Sequence, residues 1–234
     1  VNEPFRFLAA PEPCGYLPDR LSQLEYEPVG EMGPHEFGAR LAAGWRRFGH
    51  LLFQPKCPSC RACQSLRIDV SRFKPDRSQR RAIARNAGLI EPRIGPPTLT
   101  REAVRLFSRF HQDRAERRGW EERDDSRAFA ASFLSNPLPT EEWRYELDGS
   151  LVGLGYVDAT PIGLSAIYFV HDPDQARRSL GTWNVLRLIE ETRRRGLPHA
   201  YLGYHVRDCL SLSYKASFRP HEVMRPDGTW QASE

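Results

Sequence analysis

Residues 141–170, EEWRYELDGSLVGLGYVDATPIGLSAIYFV, decide the fold class. Glu142–Leu147 and Leu151–Val157 are two runs rich in β-formers. They meet at Asp148-Gly149, a dipeptide favoured in two-residue hairpin turns. Leu164–Val170 reads as a third strand, and His171-Asp172-Pro173 as the start of a polar loop. A helix follows from Leu180 to Arg195, closed by Gly196, and Ala200–Tyr204 supplies a fourth strand. The class is α+β.

Upstream, Thr100 caps a helix whose inner stripe is Val104, Phe107, Phe110 and His111 and which ends at Gly119. A shorter helix spans Phe129–Leu134. EPRIGPP, residues 91–97, is the best internal boundary, so the expected units are 1–96 and 97–234. In the first unit, His35–Trp45 fits a short helix, while HLLFQP and Ser65–Val70 fit strands. Asp76 caps a helix that ends before Gly88. Pro4, Pro11, Pro13 and Pro18 make residues 1–20 irregular.

Strands in a meander, then a helix, then a further strand form an acyltransferase-like order. Arg178-Ser179-Leu180-Gly181 enters the helix with backbone N–H groups that suit an anion. As a phosphate loop the signal is weak, since it holds one Gly and places Trp183 where an acetyl-CoA loop wants Gly or Ala. An ordinary helix start is the alternative.

The bulk composition excludes several classes. With 40% apolar and 27% charged residues among 234, a packed globular chain is expected and a disordered one is not. No apolar run matches a membrane span and no leader-like apolar core opens the chain, so a cytoplasmic protein is expected. The five cysteines are an odd number and fit a secreted disulfide framework poorly. Net charge is only +4, but it is unevenly spread. Seven Lys/Arg lie between Arg67 and Arg85 against two Asp, and Arg193–Arg195 form a second cluster. Such a strip neutralises phosphates or is simply a solvated helix face.

Directly before that strip stands Cys57-Pro-Ser-Cys60-Arg-Ala-Cys63. Two-residue spacers let thiolates converge on one metal, and Cys14 is the candidate fourth ligand for an iron–sulfur cluster or zinc. Small buried thiols without a site are the alternative.

These features, taken in order, resemble the bacterial aminoacyl-tRNA–protein transferases, relatives of the eukaryotic arginyl-tRNA–protein transferases. In the first half the resemblance rests on Cys14-Gly-Tyr-Leu-Pro18, Gly44–Gly49, Cys57–Cys63 and Phe73–Arg81. In the second half it rests on Leu164–Phe169, Asp172-Pro173, Ser179–Gly181, Tyr201–Tyr204 and Tyr214–Pro220. His171 departs from it, since Tyr is expected before Asp-Pro.

The resemblance implies a cysteine-bearing N-terminal module joined to a GNAT/Fem-like acyltransferase domain. It implies transfer of leucine, or arginine, from aminoacyl-tRNA to proteins with N-terminal Asp or Glu, marking them for degradation through an N-degron pathway. No cofactor is required for that chemistry, because the donor is already an activated ester. The enzyme has to place a neutral amine and stabilise an oxyanion. Asp158, Tyr168 and Tyr204, at strand ends beside the expected cleft, are the candidates for electrostatic and proton-handling roles. Ser179 and Gly181 are assigned to the tRNA end, and Lys215 and Arg219 to an anion. Arg77, Arg80 and Arg81 share a helix face and are expected to grip the acceptor carboxylate. Asp158 as a turn cap, the tyrosines as sheet residues and His111 as a packed residue are the plain alternatives. Two other functions compete. A CoA-dependent N-acetyltransferase would share the strand order, and a non-catalytic metal-stapled RNA-binding protein would account for the thiols and basic strip alone.

Overall fold

The computed structural model describes residues 4–119 and 126–233, so residues 1–3 of the expected irregular start lie outside it. The first part of the chain forms β1 (Phe7–Leu8), β2 (Glu12–Pro13), β3 (Leu21–Ser22), β4 (Leu24–Pro28), α1 (Pro34–Ala42), β5 (Arg46–Phe48) and β6 (Leu51–Pro55). β7 (Gln64–Asp69), α2 (Arg77–Asn86), β8 (Pro92–Gly95), α3 (Arg101–Arg118) and α4 (Ser126–Phe133) follow. The chain then makes β9 (Thr140–Leu147), β10 (Ser150–Thr160), β11 (Gly163–His171), α5 (Leu180–Arg194), β12 (His199–His205), α6 (Leu210–Ser213), β13 (His221–Met224) and β14 (Trp230–Ser233).

The decisive hairpin forms as its sequence dictates. Asp148 and Gly149 turn β9 into β10 with φ of 51° and 75°, the left-handed pair that a twisted hairpin needs. β10 is buried along nearly its whole length because helices cover both faces of the sheet around it. On one face α3 and α4 bring Phe107, Phe110, Phe129 and Phe133 against Leu154, Tyr156 and Val170. On the other, α5 brings Trp183, Leu186 and Ile189 against Trp143, Val157 and Leu164. α2 packs against α5, started by a capping box in which Asp76 and Gln79 exchange hydrogen bonds.

The main sheet has eight strands in the order β14-β13-β7-β12-β11-β10-β9-β8. The expected units 1–96 and 97–234 both contribute to it: β7 lies between β13 and β12, and β8 pairs with β9. A second sheet, β1-β4-β6-β5, comes wholly from the first part. Its inner face, including Leu52, joins Phe37 and Leu41 of α1 in a third core with Tyr201 of β12. β5 touches β11, and Gly49 just beyond it approaches the carbonyl of Ala131 so closely that no Cβ fits.

The structure departs from the sequence reading in the expected irregular start, which holds β1 and β2, in the expected boundary, which holds β8, at the end of β11 and near the C-terminus. β11 continues through His171, and the turn after it begins at Asp172, whose side chain accepts from the Asp174 N–H at 3.0 Å. The C-terminal hairpin β13–β14 went unread, although Pro226-Asp227-Gly228 between short strands is a turn signal. Among the described residues no helix is long and apolar enough to cross a membrane.

Candidate active site

Among the described residues β11 and β12 are the one parallel pair in the main sheet, and they pair only from Gly163/His199 to Ser165/Tyr201. Beyond that point the strands part. β11 carries an extra residue, Ile167, where its register with β10 shifts, and β12 carries one at the Tyr201/Gly203 shift against β7. The gap between them is a cleft of about 230 Å³. Its walls include Ala166, Ile167 and Tyr168 on one side and Leu202, Gly203 and Tyr204 on the other. Arg46, Phe48 and Phe53 of the second sheet close it from above, and Leu212 and Lys215 close its end.

Two adjacent arginines of β5 behave differently there. Arg47 is 3% exposed and all five of its N–H groups are used. Nε and Nη2 grip the two oxygens of Asp158 at 2.7 and 2.5 Å, Nη2 also reaches Thr140 Oγ1, and Nη1 serves Gly49 O and Asn136 Oδ1. Arg46 is 6% exposed, and only its Nη1 is bonded, to Trp45 O at 2.7 Å. Its Nε and Nη2, the edge that Arg47 uses on a carboxylate, have no partner among the described residues. The guanidinium lies instead over Tyr204 and Tyr201, 5.4 and 5.9 Å from the ring centres. A buried cation with an unmet donor pair is unfavourable until an anion arrives.

Lys215 adds a second cation. Its Nζ donates to Tyr204 O at 2.8 Å. Burial, and then the charge of Arg46, lower its pKa to about 7. Both cations converge on Gly203, which holds φ of 77° at the bulge. A Cβ there would stand 3.7 Å from Lys215 Nζ and 4.0 Å from Arg46 Nε. Asp158 is the one acidic residue lining the cleft among the described residues, and Arg47 already neutralises it.

The sequence candidates fall into three groups. Tyr168 and Lys215 line the cleft. His111, packed on α3 as expected, also bonds Tyr168. Its Nδ1 faces the Phe107 carbonyl, which only accepts, so Nδ1 carries the proton and Nε2 receives the Tyr168 O–H at 2.9 Å. Asp158 and Tyr204 lie in the cleft wall, but their polar atoms are taken. Asp158 has no exposed surface; burial raises its pKa against the pull of Arg47. The single proton of the Tyr204 hydroxyl is shared between the carbonyls of Gly44 at 3.0 Å and Phe53 at 3.3 Å, tying β12 to the second sheet, and burial pushes its pKa well up. The remaining candidates are not brought to the cleft. Arg77, Arg80 and Arg81 stand exposed on α2, and Arg219 is exposed beyond α6. Ser179 is left-handed at the start of α5, and Gly181 faces open space. Trp183 does not obstruct this loop, because it is buried and donates to Ile90 O at 2.6 Å. The bulk of Trp183 is therefore no argument against a CoA donor.

The thiols form no metal site as placed. Among the described residues no three His, Cys, Asp or Glu side chains gather as a bound ion requires. Cys14, Cys57, Cys60 and Cys63 are all free. Burial, and then the neighbouring Cys57, Cys14 and Cys60, push the Cys63 thiol up to about 12.

The family described as "Arginine-tRNA-protein transferase, C terminus" matches residues 102–225, and its N-terminal counterpart matches residues 12–81. The chain belongs to the arginine-tRNA-protein transferase family. Within the family it is 40% identical to the aspartate/glutamate leucyltransferase of Marinobacter nauticus over 228 residues, covering 96% of this chain and 94% of that one. It is also 40% identical to the enzyme of that name from Halorhodospira halophila, covering 94% of each. Among solved structures, the C-terminal domain of a putative lysylphosphatidylglycerol synthetase from Agrobacterium fabrum gives a TM-score of 0.49 at 12% identity. That match covers 83% of this chain and 61% of that one.

Proposed function

We propose that this protein transfers leucine from aminoacyl-tRNA to the α-amine of proteins that begin with Asp or Glu, using a GNAT/Fem-like cleft. The observation that carries the reading is the unfilled Nε/Nη2 edge of Arg46 facing Gly203 beside Lys215. A side-chain carboxylate accepts two parallel hydrogen bonds from such an edge, and an amide does not. Phe48, Ile167, Leu202 and Leu212 give the same cleft an apolar wall suited to a leucyl side chain.

With the carboxylate on Arg46, the acceptor ammonium stands beside Lys215. The α-amine titrates at about 7.7–8.0, so a lysine held near neutrality is matched to take its proton. The Tyr168 oxygen, whose own proton goes to His111, accepts from the amine and orients it. The amine then attacks the ester carbonyl. Backbone N–H groups along the parted edge of β11 are the donors for the oxyanion. As the C–N bond forms and the C–O bond breaks, the second amine proton leaves with the ribose oxygen. The thiols take no step in this chemistry. Arg77, Arg80, Arg81, Ser179 and Gly181, outside the cleft, are assigned to tRNA phosphates, a contact that weakens as salt rises.

Two measurements test the proposal. Supplied with leucyl-tRNA, arginyl-tRNA and acetyl-CoA in turn, the protein should modify an Asp-initiated peptide from leucyl-tRNA; modification from acetyl-CoA alone would refute it. The kcat/KM profile should also rise with pH through about 7, where Lys215 loses its proton. Lys215→Arg, charged throughout, should move that limb up to the acceptor amine's own range of about 7.7–8.0 and lower the plateau by roughly 100-fold, within the range for a lost general base. An unchanged profile would remove Lys215 from the mechanism.

A further inference from the structure

The second sheet carries a row of aromatics that the transfer chemistry uses only at its inner end, at Arg46 and Phe48. Phe7 on β1 is in register with Tyr26 on β4, Tyr26 with Phe53 on β6, and Phe53 with Arg46 on β5. Residues in register share a face, so three aromatics and the cleft arginine form one row across all four strands. The rings are in contact. Phe7 stacks on Tyr26 at 5.5 Å, Tyr26 meets Phe53 at 6.5 Å, and Phe53 stacks on Phe48 at 5.6 Å. Phe48 in turn packs edge-on against Tyr168 in the cleft. The opposite face, with Glu27, Leu52 and Arg47, is buried. The aromatic face is open: Phe5 is 72% exposed, Phe7 41% and Phe48 40%.

We infer that this face is a stacking platform for the single-stranded 3′ end of the donor tRNA, leading its terminal ester into the cleft. The inference rests on the aminoacyl-tRNA reading above. Three steps between four strands cover about 14 Å. Aromatics on a four-stranded sheet hold about two or three unpaired bases. The row is directional, since it begins in solvent at Phe5 and Phe7 and ends at Arg46 and Tyr168, where the ester must react. Its chemistry also suits bases better than a protein chain. The rings are flat apolar groups on an open face, and burial, then the nearby charge of Glu12, raise the pKa of Tyr26, which puts a carboxylate acceptor for an exocyclic amino group beside the row. The C-C-A end of tRNA carries such a group on every base.

The test uses a short uncharged RNA hairpin ending in single-stranded ACCA, and the same hairpin made blunt, each binding the full-length protein. The overhang should strengthen binding, and Phe7→Ala should weaken the overhang complex roughly ten-fold while leaving the blunt one unchanged. Phe7→Leu, which keeps the apolar packing but loses the ring, should behave like Phe7→Ala, and matching thermal melts exclude a folding defect. In transfer, both variants should raise KM for charged tRNA and leave KM for the acceptor peptide unchanged. Equal binding of both hairpins by the wild type would overturn the inference, as would unchanged overhang binding by both variants. A rise in acceptor KM alone, or altered self-association, would hand the face to a peptide or a second copy and also overturn it. Because the binding arm uses uncharged RNA, it stands apart from transfer. Overhang binding without any leucine transfer would refute the functional reading and leave the platform standing.

Discussion

Arg46→Met is expected to abolish the preference for Asp over Asn at the acceptor N-terminus. On the proposed reading, the unpartnered guanidinium edge separates a carboxylate, which accepts two bonds, from an amide, which accepts one. A charge-assisted contact contributes about 1.5–3 kcal/mol, on the order of ten- to a hundredfold in kcat/KM. The loss should fall on Asp and Glu peptides while Asn peptides stay near their low basal rate. Arg46→Lys keeps the charge but not the fork, so it should recover only part of the preference. Gly203→Ala should reproduce the defect, because its Cβ enters the space between Arg46 Nε and Lys215 Nζ. Equal losses on Asp and Asn peptides for Arg46→Met would move carboxylate recognition elsewhere, with the α2 arginines the next candidates.

Asp158→Ala should damage the fold more than the chemistry. Its carboxylate is the counter-ion of Arg47, and the pair joins β5 to β10 with both side chains at most 1% exposed. Removing one partner strands a buried charge, which costs about 3–5 kcal/mol. For a chain of this length that is a fall of roughly 6–20 °C in Tm. At a temperature where the variant remains folded, kcat should stay within a few-fold of wild type. Replacing both partners together, as Arg47→Met with Asp158→Leu, should recover much of the stability, since no lone charge remains. A normal Tm with a kcat reduced a thousandfold would restore Asp158 as a catalytic group.

Sequence made the centre of the fold legible because its signals are local. Asp148-Gly149 sets one turn, Asp76 and Thr100 cap two helices, and Gly196 closes α5 at φ of 68°. The second sheet was largely hidden, because β1, β4, β5 and β6 have two to five residues each and pair across gaps in sequence. Tyr168 and Lys215, expected from a strand end and a motif, both line the cleft. Arg46 lay in the motif Gly44–Gly49 but nothing in the sequence separates it from Arg47. Only the partners do: Asp158 and Thr140 are close to Arg47 in space and far from it along the chain. Arg77 and Arg81, the expected carboxylate grip, share a face of α2 that points to solvent and do not line the cleft. Helical spacing shows which side chains are neighbours and leaves open what they face.

The most direct test of the account is the mass of the product. Purified protein would be incubated with leucyl-tRNA and otherwise identical peptides beginning with Asp, Glu, Asn or Ala, and each peptide weighed. A gain of one leucine residue on the Asp and Glu peptides, at the N-terminal amine and far exceeding any gain on Asn and Ala, is the predicted result. No gain on any peptide, or equal gains on all four, would contradict it.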